Sequence, residues 1–194
     1  RNHCPCRKAV LSPARPSSCT GSEFQFYRVA TPQGTWPYVE PRSFLRPLPD
    51  LVRPVVLGDL RDFRSAAQWG LVKLIYGNPA LHYEANHRPK LRTIEIGLHF
   101  ESDDLTNARL LGTFRAHERA IHRELPGARL EEWDKGWARV WEPVAYEDLD
   151  EALQRDLAAR LARYVTVLEP ILRAELPADV RWDVTRTRSS GRRR

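Results

Sequence analysis

Between Leu81 and Leu176 the apolar residues recur first at about every second position, then at about every 3.6, then again at 2 and at 3.6. That succession constrains the fold more than any other feature, because each period fits only one kind of backbone. The first part reads as a strand over Ala80–Ala85, a turn at Asn86–Lys90 and a strand over Arg92–Glu101. In the second strand Ile94, Ile96, Leu98 and Phe100 share one side; Glu95, Gly97, His99 and Glu101 share the other. Leu81 and Tyr83 continue the apolar set, which puts His82 and Glu84 on the polar side.

Ser102-Asp103-Asp104 then opens a helix with acids where the dipole favours them, and Pro126-Gly127 closes it. Its expected inner stripe is Leu105, Ala108, Leu111, Phe114, Ile121 and Leu125. Arg109, Arg115, Arg119 and Arg123 point outward, as a solvated helix face does. Arg129–Trp133 and Trp137–Glu142 flank Asp134-Lys135-Gly136, a three-residue loop whose glycine suits a positive φ. This hairpin places Trp133 opposite Trp137, Glu131 opposite Arg139 and Arg129 opposite Trp141. A last helix is expected over Glu147–Leu176, bent at Pro170 and stopped by Pro177. Before Leu81, Leu60, Phe63, Ala67, Leu71, Leu74 and Ile75 match helical spacing, so a helix is expected from Asp59 to Tyr76, ended by Gly77-Asn78-Pro79. The expected order is α-ββ-α-ββ-α. It is an α+β fold in which an antiparallel sheet of two β-hairpins carries helices on one face.

The ends differ from this body. Residues 1–50 hold 8 of the 15 prolines and are expected to be an irregular segment; residues 51–176 are expected to form one domain, and 177–194 a basic, disordered tail. The chain starts with Arg and has no Met, so the folded part is expected to begin near Leu51 or Val52. Arg far exceeds Lys, which suggests a GC-rich bacterial genome. Without an apolar stretch of roughly 18 residues or a leader-like start, a cytoplasmic protein without membrane partners is expected. Cys4, Cys6 and Cys19 lie near His3, but C-x-C is not the spacing that brings two thiolates onto one zinc ion. No cofactor is implied.

Net charge is +6, yet residues 81–176 carry 14 basic and 18 acidic side chains. The positive charge lies in the ends. Nucleic-acid binding, if any, is therefore expected to be weak, salt-sensitive and mediated by the tail.

Ile94-Glu-Ile-Gly-Leu-His-Phe-Glu, the helix with Asp103, Asn107, Leu111, Phe114, Ile121 and Leu125, Leu130-Glu-Glu-Trp and Arg139-Val-Trp together carry a resemblance. About half the chain resembles a bacterial domain-of-unknown-function family that often forms the C-terminal part of restriction-endonuclease-like proteins. The resemblance implies a prokaryotic setting in DNA metabolism or defence. It brings no catalytic residues with it.

Two groups of side chains are candidate sites. His82, Glu84, Glu95, His99 and Glu101 offer imidazoles and carboxylates from neighbouring strands, a ligand set for a divalent ion or an acid–base pair. The ordinary alternative is a solvated sheet face. Trp133, Trp137 and Trp141 with Arg129 and Arg139 offer the residue types that anchor binding surfaces. Their ordinary alternative is burial, with the arginines stacked at the rim. No nucleophile motif, metalloprotease motif or phosphate-binding glycine loop is present. The leading expectation is a non-enzymatic interaction or accessory module with a protein partner; the alternative is a small metal-dependent enzyme at the His/Glu face.

Overall fold

The computed structural model describes residue 40 and residues 43–181. Cys4, Cys6, Cys19 and the arginines after 181 lie outside the described residues. The elements are α1 (Leu48–Val52), β1 (Arg64–Gln68), β2 (Leu71–Ile75), β3 (Leu81–Arg88), β4 (Thr93–Phe100), α2 (Asp104–Ala116), α3 (Glu118–Glu124), β5 (Arg129–Glu132), β6 (Ala138–Ala145) and α4 (Glu151–Glu175). All strands join one antiparallel sheet in the order β1-β2-β3-β4-β6-β5. The α+β class stands. Among the described residues no helix is long and apolar enough to cross a membrane.

The helix expected over residues 59–76 is instead a third hairpin. Gln68 pairs with Leu71, leaving Trp69-Gly70 as a two-residue loop with φ of 48° and 82°. Two positive φ values in succession match the turn twist that joins antiparallel strands, and no helix can hold them. The apolar spacing that imitates a helix is met differently. Val72 and Leu74 alternate inward along β2, while Phe63 reaches the core from outside the strands and packs edge-on against Tyr76. Gly77-Asn78-Pro79 still makes a stop, as the turn into β3, where Asn78 Oδ1 accepts from Ala80 N at 2.9 Å.

The expected boundary at residue 51 also moves. Phe44, Leu45 and Leu48 are fully buried, α1 straddles residue 51, and Gln154 of α4 donates to the Phe44 carbonyl. Pro47 and Pro49 do not prevent this helix. They stand at its start, where a missing N–H breaks no helical bond. At the other end the chain stays attached beyond Leu176. Val180 packs on the core, Asp179 pairs with Arg109 at 2.9 Å and the Arg181 carbonyl accepts from Asn78.

One sheet face carries Leu74, Leu81, Tyr83, Ala85, Ile94, Ile96, Leu98, Phe100 and Val140. Against it lie Leu157, Leu161, Val165, Leu168 and Leu172 of α4, and Leu110, Leu111 and Phe114 of α2. The expected single helix after Ser102 is two, parted at His117, whose φ and ψ of −93° and 3° leave the helical range. Leu105 and Ala108, expected inside, are exposed. The cause is Asn107, which is 1% exposed, donates to the Ser102 and Gly136 carbonyls and accepts from Ser102 N. With Asn107 fixed inward, the buried stripe is 107, 110, 111 and 114, and positions 105 and 108 rotate out. The final helix starts at Glu151 rather than Glu147, because Asp150 caps it by accepting from Leu153 N at 2.8 Å. It continues through Pro170.

Glu169 of α4 faces this core at 0% exposure, accepting from Tyr83 Oη at 3.1 Å and Arg173 Nε at 3.0 Å. Burial raises its carboxyl pKa despite the arginine. A carboxyl whose folded pKa is raised adds stability below its unfolded value of about 4.3, and that part is lost as pH rises through the folded pKa. Glu169→Gln keeps the shape, with its one oxygen accepting from Arg173 and its amide N–H donating to Tyr83 Oη, which reverses that bond. It should flatten the stability–pH profile above about pH 4.3, leaving neutral-pH stability equal or higher, to within about 1 kcal/mol. Urea unfolding at a series of pH values tests this. A variant much weaker than the parent at pH 7, with an unchanged slope, would refute it.

Candidate functional site

The two groups of candidate residues form one surface. Strand alternation places His82, Glu84, Glu95, Gly97, His99, Arg139 and Trp141 on the sheet face turned away from α4. Register then aligns them: Lys73 with Glu84, His82 with His99, Gly97 with Trp141, His99 with Arg139, and Arg139 with Glu131. The expectation of a solvated face does not hold. His82 is 0%, Glu84 3%, His99 1% and Arg139 6% exposed, values at which ionisable side chains are found only when paired.

In the β3–β4 hairpin His82 Nδ1 lies 2.9 Å from the Pro79 carbonyl. A carbonyl only accepts, so this nitrogen carries the proton and donates. Nε2 is then turned toward Glu84 Oε2 at 3.4 Å and Glu101 Oε1 at 3.8 Å. The Lys73 ammonium sits among the same carboxylates, 3.1 Å from Glu101 and 3.6 Å from Glu84. The other Glu84 oxygen accepts from Asn86 at 3.1 Å. Burial works to raise the Glu84 pKa, but His82, His99 and Lys73 outweigh it and hold the carboxyl down at about 2. His99 stacks on His82 with ring centroids 5.9 Å apart; burial drives its pKa down to about 3, and its Nδ1 has no hydrogen-bond partner among the described residues.

Of the five metal-ligand candidates, the structure brings together His82, Glu84 and Glu101, whose ligand atoms all lie within 4.8 Å of one another. His99 stands beside them through its ring. Glu95 does not join; it is held by Arg88 at 2.9 Å and Arg139 at 3.4 Å. Lys73 was missed because it fell in the expected first helix. The alternation in Leu71-Val-Lys-Leu-Ile was the signal that could have found it.

The hairpin register of β5 and β6 is the expected one, including Trp133 opposite Trp137, where Trp133 N donates to the Trp137 carbonyl. Arg139 forms its centre. Its guanidinium lies 3.7 Å from the Trp141 ring centroid and 4.7 Å from that of Trp133. It donates to Glu131 Oε1 at 2.7 and 3.0 Å, and Trp141 Nε1 donates to the same oxygen at 2.7 Å. His99 meets Trp133 edge-on at 5.5 Å, which joins this cluster to the first. Trp141 and Arg139 are therefore interior. Trp133 and Trp137 are half-buried, and Arg129 is exposed over the Trp141 ring at 5.4 Å.

Two clefts of about 500 Å³ lie elsewhere. One is lined by Asp59, Asp62, Tyr76, Arg173 and Leu176. The other runs from Gly127 to Arg160 and Tyr164, whose buried hydroxyl has no hydrogen-bond partner among the described residues. Neither contains a candidate residue. Comparison with protein-family models, curated proteins and solved structures finds no match to this chain.

Proposed function

We propose that this chain is a non-enzymatic interaction module that binds a protein partner through the tip of the β5–β6 hairpin and the first turn of α2. The observation that carries this reading is Leu105, left 68% exposed in a turn that lies against the hairpin loop flanked by two half-buried tryptophans. Asp104 lies against Gly136, and Asn107 donates to the Gly136 carbonyl at 2.9 Å, so the turn and the hairpin tip are one rigid unit. An apolar residue and two indoles on a preordered support resemble the anchors of protein interfaces, where large side chains gain from desolvation at little entropic cost. Arg129 and Lys135, exposed over the Trp141 and Trp137 rings, supply a basic rim suited to an acidic partner surface. The setting we attach to it is that of an accessory part in bacterial DNA metabolism or defence. It follows from the resemblance carried by Ile94–Glu101 and Arg139-Val-Trp.

Leu105→Asp and Trp137→Ala should each lower the affinity for such a partner at least about tenfold, the scale of losing one interface anchor. Quantitative co-purification from the native host, compared with a Leu57→Asp control at a distant exposed site, measures this. One protein held by the parent and the control but lost from both variants is the expected result. Equal retention by all four chains would overturn the reading. A small metal-dependent enzyme at the β3–β4 hairpin is the second reading, favoured by the convergence of His82, Glu84 and Glu101.

A further inference from the structure

We infer that His82, Glu84 and Glu101 form a site for a divalent transition-metal ion of the zinc class, occupied in its absence by the Lys73 ammonium. The inference concerns ion binding alone and stands whether or not the hairpin tip binds a protein. It begins with the orientation of His82. Because Nδ1 donates to the Pro79 carbonyl, Nε2 is the ring nitrogen turned toward two carboxylates, 3.4 Å from Glu84 and 3.8 Å from Glu101. Metal-binding imidazoles are oriented in this way, with the far nitrogen fixed by a carbonyl.

Two of the three ligand-atom separations lie near those such an ion needs, and all three fall within 4.8 Å. Ligand atoms about 2.1 Å from a tetrahedral centre stand about 3.4 Å apart, and the His82–Glu84 separation is 3.4 Å. The His82–Glu101 separation is 3.8 Å, and Glu101, at the strand end, is the partly exposed member able to adjust. Asn86 steadies the other Glu84 oxygen as an outer partner. Beside the ring stack, the Nδ1 of His99, a residue only 1% exposed, has no hydrogen-bond partner among the described residues. One imidazole and two carboxylates match the nitrogen and oxygen preference of zinc, and leave a fourth position open to water.

Lys73 then acquires a role. Its Nζ sits 3.1 and 3.6 Å from the two carboxylates, and its side chain is the most exposed of the cluster. A dication and an ammonium cannot share this space, so metal binding requires Lys73 to swing out to solvent, which its flexible stem permits. The lysine keeps two close carboxylates tolerable without metal and weakens metal binding by competition.

The experiment uses the full chain with Cys4, Cys6 and Cys19 changed to serine, so that no thiolate binds metal. Cobalt chloride is the probe, because visible d–d bands report coordination directly; zinc is then added in competition. One equivalent of cobalt should bind with tetrahedral-type bands, and zinc should displace it. Lys73→Met should tighten binding at least about tenfold, since it removes a unit charge some 4 Å from the ion. Glu101→Gln, at a partly exposed position that folding tolerates, should weaken it at least about tenfold, the scale of losing one charged ligand. His82→Gln should abolish the bands. Failure of every chain to bind at about 100 µM cobalt would overturn the inference. Binding unchanged by both Lys73→Met and Glu101→Gln would overturn it as well, marking an adventitious surface site.

Discussion

Arg139→Ala is expected to destabilise the protein by about 3 kcal/mol, near the lower end of what removal of one partner from a buried ion pair costs. The side chain is 6% exposed and serves three groups at once. It neutralises Glu95, whose side chain is almost as buried, donates twice to Glu131, and fills the space between the rings of Trp133 and Trp141. Alanine leaves Glu95 with Arg88 alone and opens a gap between two indoles. Glu131 is partly exposed and can recover water, which keeps the loss from reaching the upper end of the range. Arg139→Lys keeps the charge but not the planar fork or the stacking, so it should recover no more than about half of the loss. Urea unfolding followed by tryptophan fluorescence measures both variants, with Trp133 and Trp141 as local reporters. A cost below about 1 kcal/mol for the alanine variant would show that Arg139 is a rim contact and that this face is not interior.

What the sequence discloses and what it conceals divides along local and non-local lines. The β5–β6 register is legible because Asp134-Lys135-Gly136 fixes it locally, with Lys135 and Gly136 at φ of 60° and 72°. The two faces of β4 are legible from alternation. The first hairpin is not, because Trp69-Gly70 lacks the usual asparagine or aspartate and the neighbouring Leu71, Leu74 and Ile75 also satisfy a helix. Without that hairpin, Lys73 had no place among the carboxylates. Alternation assigns His82 and His99 to the face opposite the apolar one. It says nothing of whether that face is wet, and the burial of five ionisable side chains there was invisible in the pattern. The union of the two candidate clusters depends on β4 pairing with β6, some 40 residues later in the chain. No local signal carries that pairing. Leu105 shows the same limit on a smaller scale: helical spacing allowed it inside, and one asparagine turned it out.

Gly97→Ala should be among the most damaging single changes, costing about 3 kcal/mol or more through overpacking that nothing nearby can relieve. By intrinsic preference alone the substitution would help, because glycine within a strand is worse than alanine by roughly 0.5–1 kcal/mol. The surroundings reverse the sign. A methyl group at residue 97 would stand 2.3 Å from the Val140 carbonyl oxygen, 2.6 Å from Trp141 Cα and 2.7 Å from Trp141 Cβ. These are backbone or backbone-attached atoms, so no rotamer change clears them; β4 and β6 would have to separate. That separation would pull Trp141 from Arg139 and break the seam that joins the imidazole cluster to the tryptophan hairpin. Gly112→Ala is the matched control. Gly112 sits exposed within α2, and a methyl group added there would meet nothing within 4 Å, so alanine should stabilise by roughly 0.5–1 kcal/mol. Thermal and urea unfolding of the two variants side by side should give opposite signs. If Gly97→Ala proved neutral or stabilising, the close approach of β4 and β6 at this point would be wrong, and with it the alignment that makes one surface of the two clusters.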